Sequence, residues 1–302
     1  MSDYDEFGLF AENASEVGLP YEGPPLVRRV DVPVDSSGRA VSALVWGDRP
    51  PEVVLIHGGA QNAHTWDTVA LALGRPLVAI DLPGHGHSGW RDDLDYRPPS
   101  LAADVSVAIR ELAPDAIAVV GMSLGGMTTF SLGARHPDLV RAQVIVDVTP
   151  GVNADKAKAV IDFIRGPQSF PSFDEILERT ITFNPTRTES SLRRGVRHNA
   201  VEQPDGSWRW RYDRRHHGDD VVITELDPSA LWEDVSAAKV PLLLLRGALS
   251  PVVDDEDVAE LLRRRPDAEV VVVEGAGHSI QGDQPLELAR LLEDFLRVQS
   301  RA

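Results

Sequence analysis

Eight short apolar, β-branched runs recur along this chain, at 27–34, 43–46, 53–56, 77–80, 116–120, 142–148, 242–245 and 270–273. Several are nearly unbroken in Val, Ile, Leu and Ala. A strand with one wet face alternates apolar and polar residues, so unbroken runs of this length point to strands covered on both faces, as in a parallel sheet. Helical periodicity lies between them. LAADVSVAIREL at 101–112 spaces its apolar residues for a helix behind Ser100, a suitable N-cap. The stretches 255–265 and 285–298 repeat the pattern, the latter with Asp283 ahead of it and Pro285 in its first turn. Strands alternating with helices predict right-handed crossovers and an α/β fold with a doubly wound, mostly parallel sheet.

The alternation stops at residue 151. From 151 to 237 the chain turns Arg-rich and aromatic (FNPTRTESSLRRGVRHNA, DGSWRWRYDRRHH), and sheet-like patterning returns at Val240. The expected organisation is a core made of 1–150 and 238–302, with 1–25 an irregular N-terminal arm. A mainly helical insertion at 151–237 stands above one end of the sheet. With 302 residues and 42% hydrophobic content the chain can bury a substantial core.

Composition excludes several kinds of chemistry. No cysteine is present, which removes disulfides, thiolate nucleophiles, thiolate zinc sites and iron–sulfur clusters. A net charge of -17 disfavours nucleic acid and anionic membrane surfaces. No run of 18 apolar residues occurs, and the opening MSDYDEFGLF is acidic, so neither a membrane span nor secretion is expected and the cytoplasm is the default location.

In AIAVVGMSLGGMTTF a strand runs directly into a helix, and Ser123 occupies the junction between Gly121 and Gly125. A turn that sharp leaves no room for neighbouring β-carbons. It pushes the hydroxyl out at the carboxyl edge of the sheet, beside a helix N-terminus, as in a Gly-x-Ser-x-Gly nucleophile elbow. The five-residue pattern alone is weak; the strand before it and the helix after it give it meaning. A serine needs a base within hydrogen-bond reach. Of nine histidines, His278 follows a predicted strand on a loop just before the last helix, and strand-end loops gather at one edge of such a sheet. An oxyanion needs backbone N–H donors. Leu124 offers one at the helix start, and the loop His57-Gly58-Gly59 offers another, from Gly59 or the adjacent Ala60.

These motifs, HGG at 57–59, DLPGHGHSG at 81–89, GMSLGG at 121–126 and GAGHSIQGDQP at 275–285, arrive in an order that resembles the α/β-hydrolase superfamily. The resemblance covers residues 27–150 and 238–302. It implies a cap domain for 151–237, Ser123 as nucleophile, His278 as base and Gly59 with Leu124 as oxyanion donors. It further implies a cofactor-independent serine hydrolase for a small-molecule ester, thioester, lactone or activated carbon–carbon bond. Serine at the elbow, in place of aspartate, argues against the dehalogenase and epoxide hydrolase chemistry of the same superfamily.

One position departs from the pattern. The family usually carries its triad acid after the strand preceding the histidine, where this chain reads Arg246-Gly247-Ala248-Leu249-Ser250-Pro251. A serine cannot hold an imidazolium as a carboxylate does. Asp147, at the end of the strand after the nucleophile helix, is the favoured substitute because a strand end fixes a side chain firmly. Asp254 and Asp255 are the alternative, although DDEDVAEL reads equally as acids at a helix start. The departure also motivates a second reading, a ligand-binding or receptor-like protein with little turnover; a lyase, isomerase or perhydrolase on the same constellation is a third.

Other residues carry less. His85 and His87 sit in the PGHGHSG turn with no third ligand nearby in sequence, so no metal is expected there. Asp81 is assigned to ordering that turn and His57 to organising its loop. Eight arginines fall between Arg187 and Arg215, near His216 and His217, against four acids, Glu189, Glu202, Asp205 and Asp213. Salt-bridged helices account for them most simply; a substrate carboxylate clamped by one arginine is the sharper alternative. Trp208, Trp210 and Tyr212 alternate in WRWRY, which predicts an extended segment whose aromatic face packs the insertion onto the core.

Overall fold

The computed structural model describes residues 4–214 and 228–301. The chain opens with α1 (Phe10–Glu16), β1 (Val27–Pro33) and β2 (Ala40–Trp46). There follow β3 (Val53–Ile56), a 3₁₀ turn at Ala63–Trp66, α2 (Asp67–Leu73), β4 (Leu77–Ile80) and α3 (Pro98–Leu112). Then come β5 (Ala118–Met122), α4 (Leu124–Arg135) and β6 (Gln143–Val146). Between β6 and the next core strand lie α5 (Lys158–Ile164), β7 (Ser169–Phe170), α6 (Phe173–Phe183), α7 (Glu189–Asn199), β8 (Ala200–Glu202), β9 (Trp208–Trp210) and α8 (Pro228–Ala237). The chain closes with β10 (Leu242–Gly247), α9 (Asp255–Arg264), β11 (Glu269–Val273), α10 (Ile280–Asp283) and α11 (Pro285–Gln299).

Eight strands form one sheet in the order β1-β2-β4-β3-β5-β6-β10-β11. β1 and β2 pair antiparallel, as do β2 and β4, and every later pair is parallel. Side chains alternate between the two faces. Val53 and Leu55 pack with α2 and α11 through Val69, Leu292 and Phe295, whereas Val54 and Ile56 pack with α3 through Leu101, Val105 and Ile109. That two-sided burial explains the unbroken apolar runs. Each such side chain contributes about 1.5–3 kcal/mol relative to leaving it in water. The C-terminal ends of β3, β5, β6, β10 and β11 therefore point to a single edge, where their loops converge.

Two local expectations are corrected, and the mainly helical insertion gains a detail. The N-terminal arm is not wholly irregular: α1 is seven residues long, too short to show a period, yet Phe10 is buried with its ring 5.0 Å from Trp46. Helix α3 starts at Pro98, with Arg97 as N-cap; Ser100 lies inside the first turn and donates its hydroxyl to Asp95. Proline fits there because first-turn N–H groups have no intrahelical acceptor. The segment between β6 and β10 carries, besides its helices, a small antiparallel sheet in the order β7-β9-β8. Trp210 and Tyr212 cluster with Phe170, Leu192 and Val196, while the core contributes Ala60 to that cluster. Helix α8 instead packs on α4, placing Leu231, Trp232 and Val235 against Met127 and Phe130.

Candidate active site

β5 delivers Ser123 to the convergent edge in a backbone conformation that L-residues rarely adopt, with φ 52° and ψ -118°. The two glycines that flank it are steric necessities. A Cβ at Gly121 would lie 2.2 Å from the Gly125 carbonyl oxygen, and one at Gly125 would lie 2.3 Å from that of Ile56. The strand-turn-helix junction closes only because neither position has a side chain.

His278 reaches this hydroxyl from the loop between β11 and α10. Its Nε2 is 3.1 Å from Ser123 Oγ, and its Nδ1 is 2.8 Å from Asp147 Oδ2. With Nδ1–H donating to the carboxylate, Nε2 presents its lone pair to the serine O–H. Asp283 holds the loop by accepting the Gly277 N–H at 2.8 Å. Asp147 follows β6 directly, is fully buried and also has a left-handed backbone, φ 52°. Its other oxygen accepts the Gly247 N–H at 2.9 Å.

Ser250 explains the sequence departure. It stands where the family usually places an acid, and here its hydroxyl donates to Asp147 Oδ2. Asp147 stands one strand over from that place, at the end of β6 beside β10, and the serine hydrogen-bonds to it. Asp254 and Asp255 are elsewhere. Asp254 caps α9 and pairs with Lys156, which holds its carboxyl down at about 2; Asp255 is exposed and pairs with Arg246.

Gly59 and Leu124 both border the site: a Cβ on Gly59 would come within 4.0 Å of the Leu124 side chain. Among the described residues no hydrogen bond occupies either N–H. Gly58, in the same close-approach loop, presses harder on Ser123, since a Cβ there would meet Met122 Sδ at 2.5 Å and Ser123 Cβ at 3.1 Å. Ala60, next to Gly59, has φ 58° and gives its carbonyl to Asn199 of α7, tying this loop to the insertion.

The flanking histidines have structural partners. His57 is buried between the Gly58 carbonyl at Nδ1 and the Leu82 N–H at Nε2, and burial pushes its pKa below the usual value. Asp81 accepts from Ala63 N–H, His87 N–H and Arg29; burial opposes its charge, but these donors outweigh it and hold the carboxyl low. His85 Nδ1 faces the Pro83 carbonyl at 3.1 Å, and burial lowers His87. Arg215, His216 and His217 lie outside the described residues.

Two cavities meet at Ser123 and His278. The larger, about 530 Å³, extends toward polar residues of α1, α2 and α7 and the α6–α7 connection. The smaller, about 220 Å³, is lined mainly by apolar side chains such as Met127, Val148, Val152 and Val252. Trp210 borders the first and Tyr212 the second, so these two of the WRWRY aromatics face the cavities as well as packing the insertion.

Sequence reasoning also missed a second cluster on the larger cavity. His64 Nδ1 lies 2.9 Å from Asp67 and its Nε2 3.1 Å from Glu6, while His198 stacks on it at 3.8 Å and 9° and contacts the Tyr4 hydroxyl at 2.7 Å. Burial favours neutral His64, but Asp67 and Glu6 prevail and raise it to about 9. Burial raises Asp67; it also drives His198 well below its usual value, and the adjacent His64 charge adds to that. His64, Asp67 and His198 offer ligand atoms within 4.8 Å of one another, the composition of a metal site. Their geometry does not suit one, because lone pairs in parallel stacked rings cannot converge on a common ion. No signal in the sequence links residues 64 and 198.

The model of the alpha/beta hydrolase family matches residues 53–291. The chain belongs to this family. It is 45% identical to the esterase Rv0045c of Mycobacterium tuberculosis over 98% of this chain and 97% of that one. The crystal structure of that esterase superimposes with a TM-score of 0.86 at 44% identity, covering 98% of this chain and 99% of the other. A more distant relative is the sn-1-specific diacylglycerol lipase ABHD11 of Xenopus laevis, 28% identical over 82% of this chain and 80% of its own. Among the described residues no helix is long and apolar enough to cross a membrane.

Proposed function

We propose that this hydrolase is a serine esterase for small-molecule esters, working through an acyl-enzyme without a cofactor. One observation carries the reading: the relay from Asp147 Oδ2 through His278 to Ser123 Oγ, at 2.8 and 3.1 Å, opens onto two cavities. In this reading His278 takes the Ser123 proton as Oγ attacks the ester carbonyl. The Gly59 and Leu124 N–H groups receive the oxyanion, and His278 then returns the proton to the departing alkoxide. Water attacks the acyl-serine by the same path in reverse. Asp147 orients the ring and stabilises its charged form while remaining ionised. Residues 151–237 act as the cap that shapes the cavities. The 45% identity to an enzyme named an esterase supports the ester bond over the thioester, lactone or carbon–carbon alternatives.

The receptor-like alternative rested on Ser250 in place of an acid. With Ser250 donating to Asp147, that motive is gone. A serine-directed fluorophosphonate together with a short-chain acyl ester tests the proposal. Wild type should be labelled and turn over, and Ser123→Ala should do neither. Labelling that persists in Ser123→Ala, or a folded wild type that neither labels nor cleaves any ester offered, would defeat it.

A further inference from the structure

Arg187 lies on the α6–α7 connection and lines the larger cavity together with Ser123 and His278. The guanidinium rests against Gly282 of α10, four residues beyond His278: a Cβ at that glycine would sit 2.7 Å from Arg187 Cζ. Room for the cation has thus been left beside the loop that carries the base.

Among the described residues this side chain makes one hydrogen bond, from Nη2 to the Ser191 hydroxyl, and its buried Nε–H finds no acceptor. Among the described residues no carboxylate forms an ion pair with it. The neighbouring arginines differ: Arg193 pairs with Glu189, and Arg194 with Glu16. The acids whose fields reach Arg187 are Asp283 and Glu16, and both have other partners, the Gly277 N–H for the first and Arg194 with Thr188 for the second. A half-buried cation whose shielded Nε–H has no acceptor is costly, and a planar donor fork suits a carboxylate. In a chain carrying a net charge of -17, a guanidinium left without a carboxylate calls for one from outside.

We infer that Arg187 is a specificity-determining residue that binds a carboxylate on the substrate. The substrate is then an ester with one short apolar half, seated among Met127, Val148 and Val252, and one anionic half directed to Arg187. The inference rests on the esterase reading and narrows it to a substrate class.

Two matched pairs place the charge on either side of the scissile bond: 4-(butyryloxy)butanoate against its carboxamide, and monobutyl glutarate against its carboxamide. Charge-assisted hydrogen bonds of this kind correspond to about 10- to 100-fold in binding. In wild type one carboxylate should exceed its carboxamide in kcat/KM by about that factor, and the pair that shows it identifies the anionic half. The ratio should fall toward unity in Arg187→Gln and recover partly in Arg187→Lys. If Arg187→Gln does not fold, Gly282→Ala displaces the guanidinium and should lower the same ratio. Ratios near unity for both pairs in wild type, or a preference that survives Arg187→Gln, overturn the inference. Binding separates its failure from that of the esterase reading. Ser123→Ala should bind one of the two carboxylates, monobutyl glutarate or 4-(butyryloxy)butanoate, about 10- to 100-fold more tightly than Ser123→Ala/Arg187→Gln does, whether or not wild type cleaves it; equal affinities for both refute the carboxylate site alone.

Discussion

Two histidines, each paired with an aspartate, lie on the walls of one cavity. In one, His278 Nδ1 is 2.8 Å from Asp147; in the other, His64 Nδ1 is 2.9 Å from Asp67. The difference is at the far nitrogen. His278 Nε2 meets the Ser123 hydroxyl, whereas His64 Nε2 meets a second carboxylate, Glu6, and the face of its ring is covered by His198. A base must release the proton it takes, and two carboxylates around His64 hold its proton until about pH 9. In the proposed mechanism the same hydrogen bond serves a proton shuttle at one end of the cavity; at the other it is part of a charged joint between the N-terminal segment, α2 and α7.

The contrast can be broken from either side. The largest effect belongs to Ser123→Ala, which should lower kcat/KM on a short acyl ester by about 10⁴- to 10⁶-fold. Asp147→Asn should follow at about 10⁴-fold in kcat, since the amide favours the wrong tautomer of His278. Asp254→Asn and Asp255→Asn should stay within about twofold of wild type, and a loss at either comparable to that of Asp147→Asn would reassign the acid.

At the other pair the expected loss is in folding. His64→Phe leaves Asp67 and Glu6 without their shared cation and should destabilise the protein by about 3–5 kcal/mol, read from denaturant unfolding. The pH dependence has a definite sign. A raised His64 pKa contributes stability that is complete below its unfolded value of 6.5 and lost as pH rises through about 9. Glu6 acts oppositely: its pKa is lowered to about 2, burial being outweighed by His64 and Arg29, so its share is present above 4.5 and lost as pH falls through 2. Melting temperatures between pH 6 and 10 should decline in wild type and flatten in His64→Phe; parallel curves would count against the joint. A smaller loss of activity than that of Asp147→Asn belongs to Ser250→Ala. It removes one donor from Asp147 and should cost about tenfold in kcat, with KM little changed.

The core was legible because its strands are buried on both faces, which writes their boundaries into Val53–Ile56 and Leu77–Ile80 as uninterrupted apolar runs. Ser123 and His278 were legible for a related reason: glycine requirements and loop position are local properties. Asp147 could be favoured but not fixed, because only the register of β6 beside β10 brings it under His278 and within reach of Ser250. The pairing of His64 with His198 spans distant segments, and a lone histidine in a sequence does not name its partner. Arg187 was one of eight arginines, and what sets it apart is a place on the wall of the larger cavity with no ion pair among the described residues, whereas Arg194 on the same wall pairs with Glu16; both are properties of the folded neighbourhood.

The left-handed backbone at Ser123 has a consequence for any effort to make this protein hardier. Glycine would occupy that position with less steric conflict, so Ser123→Gly should be an inactive chain that resists heat at least as well as the working one. Variants ranked by thermal endurance alone would then drift toward loss of the nucleophile, and only a screen that scores turnover alongside endurance keeps it.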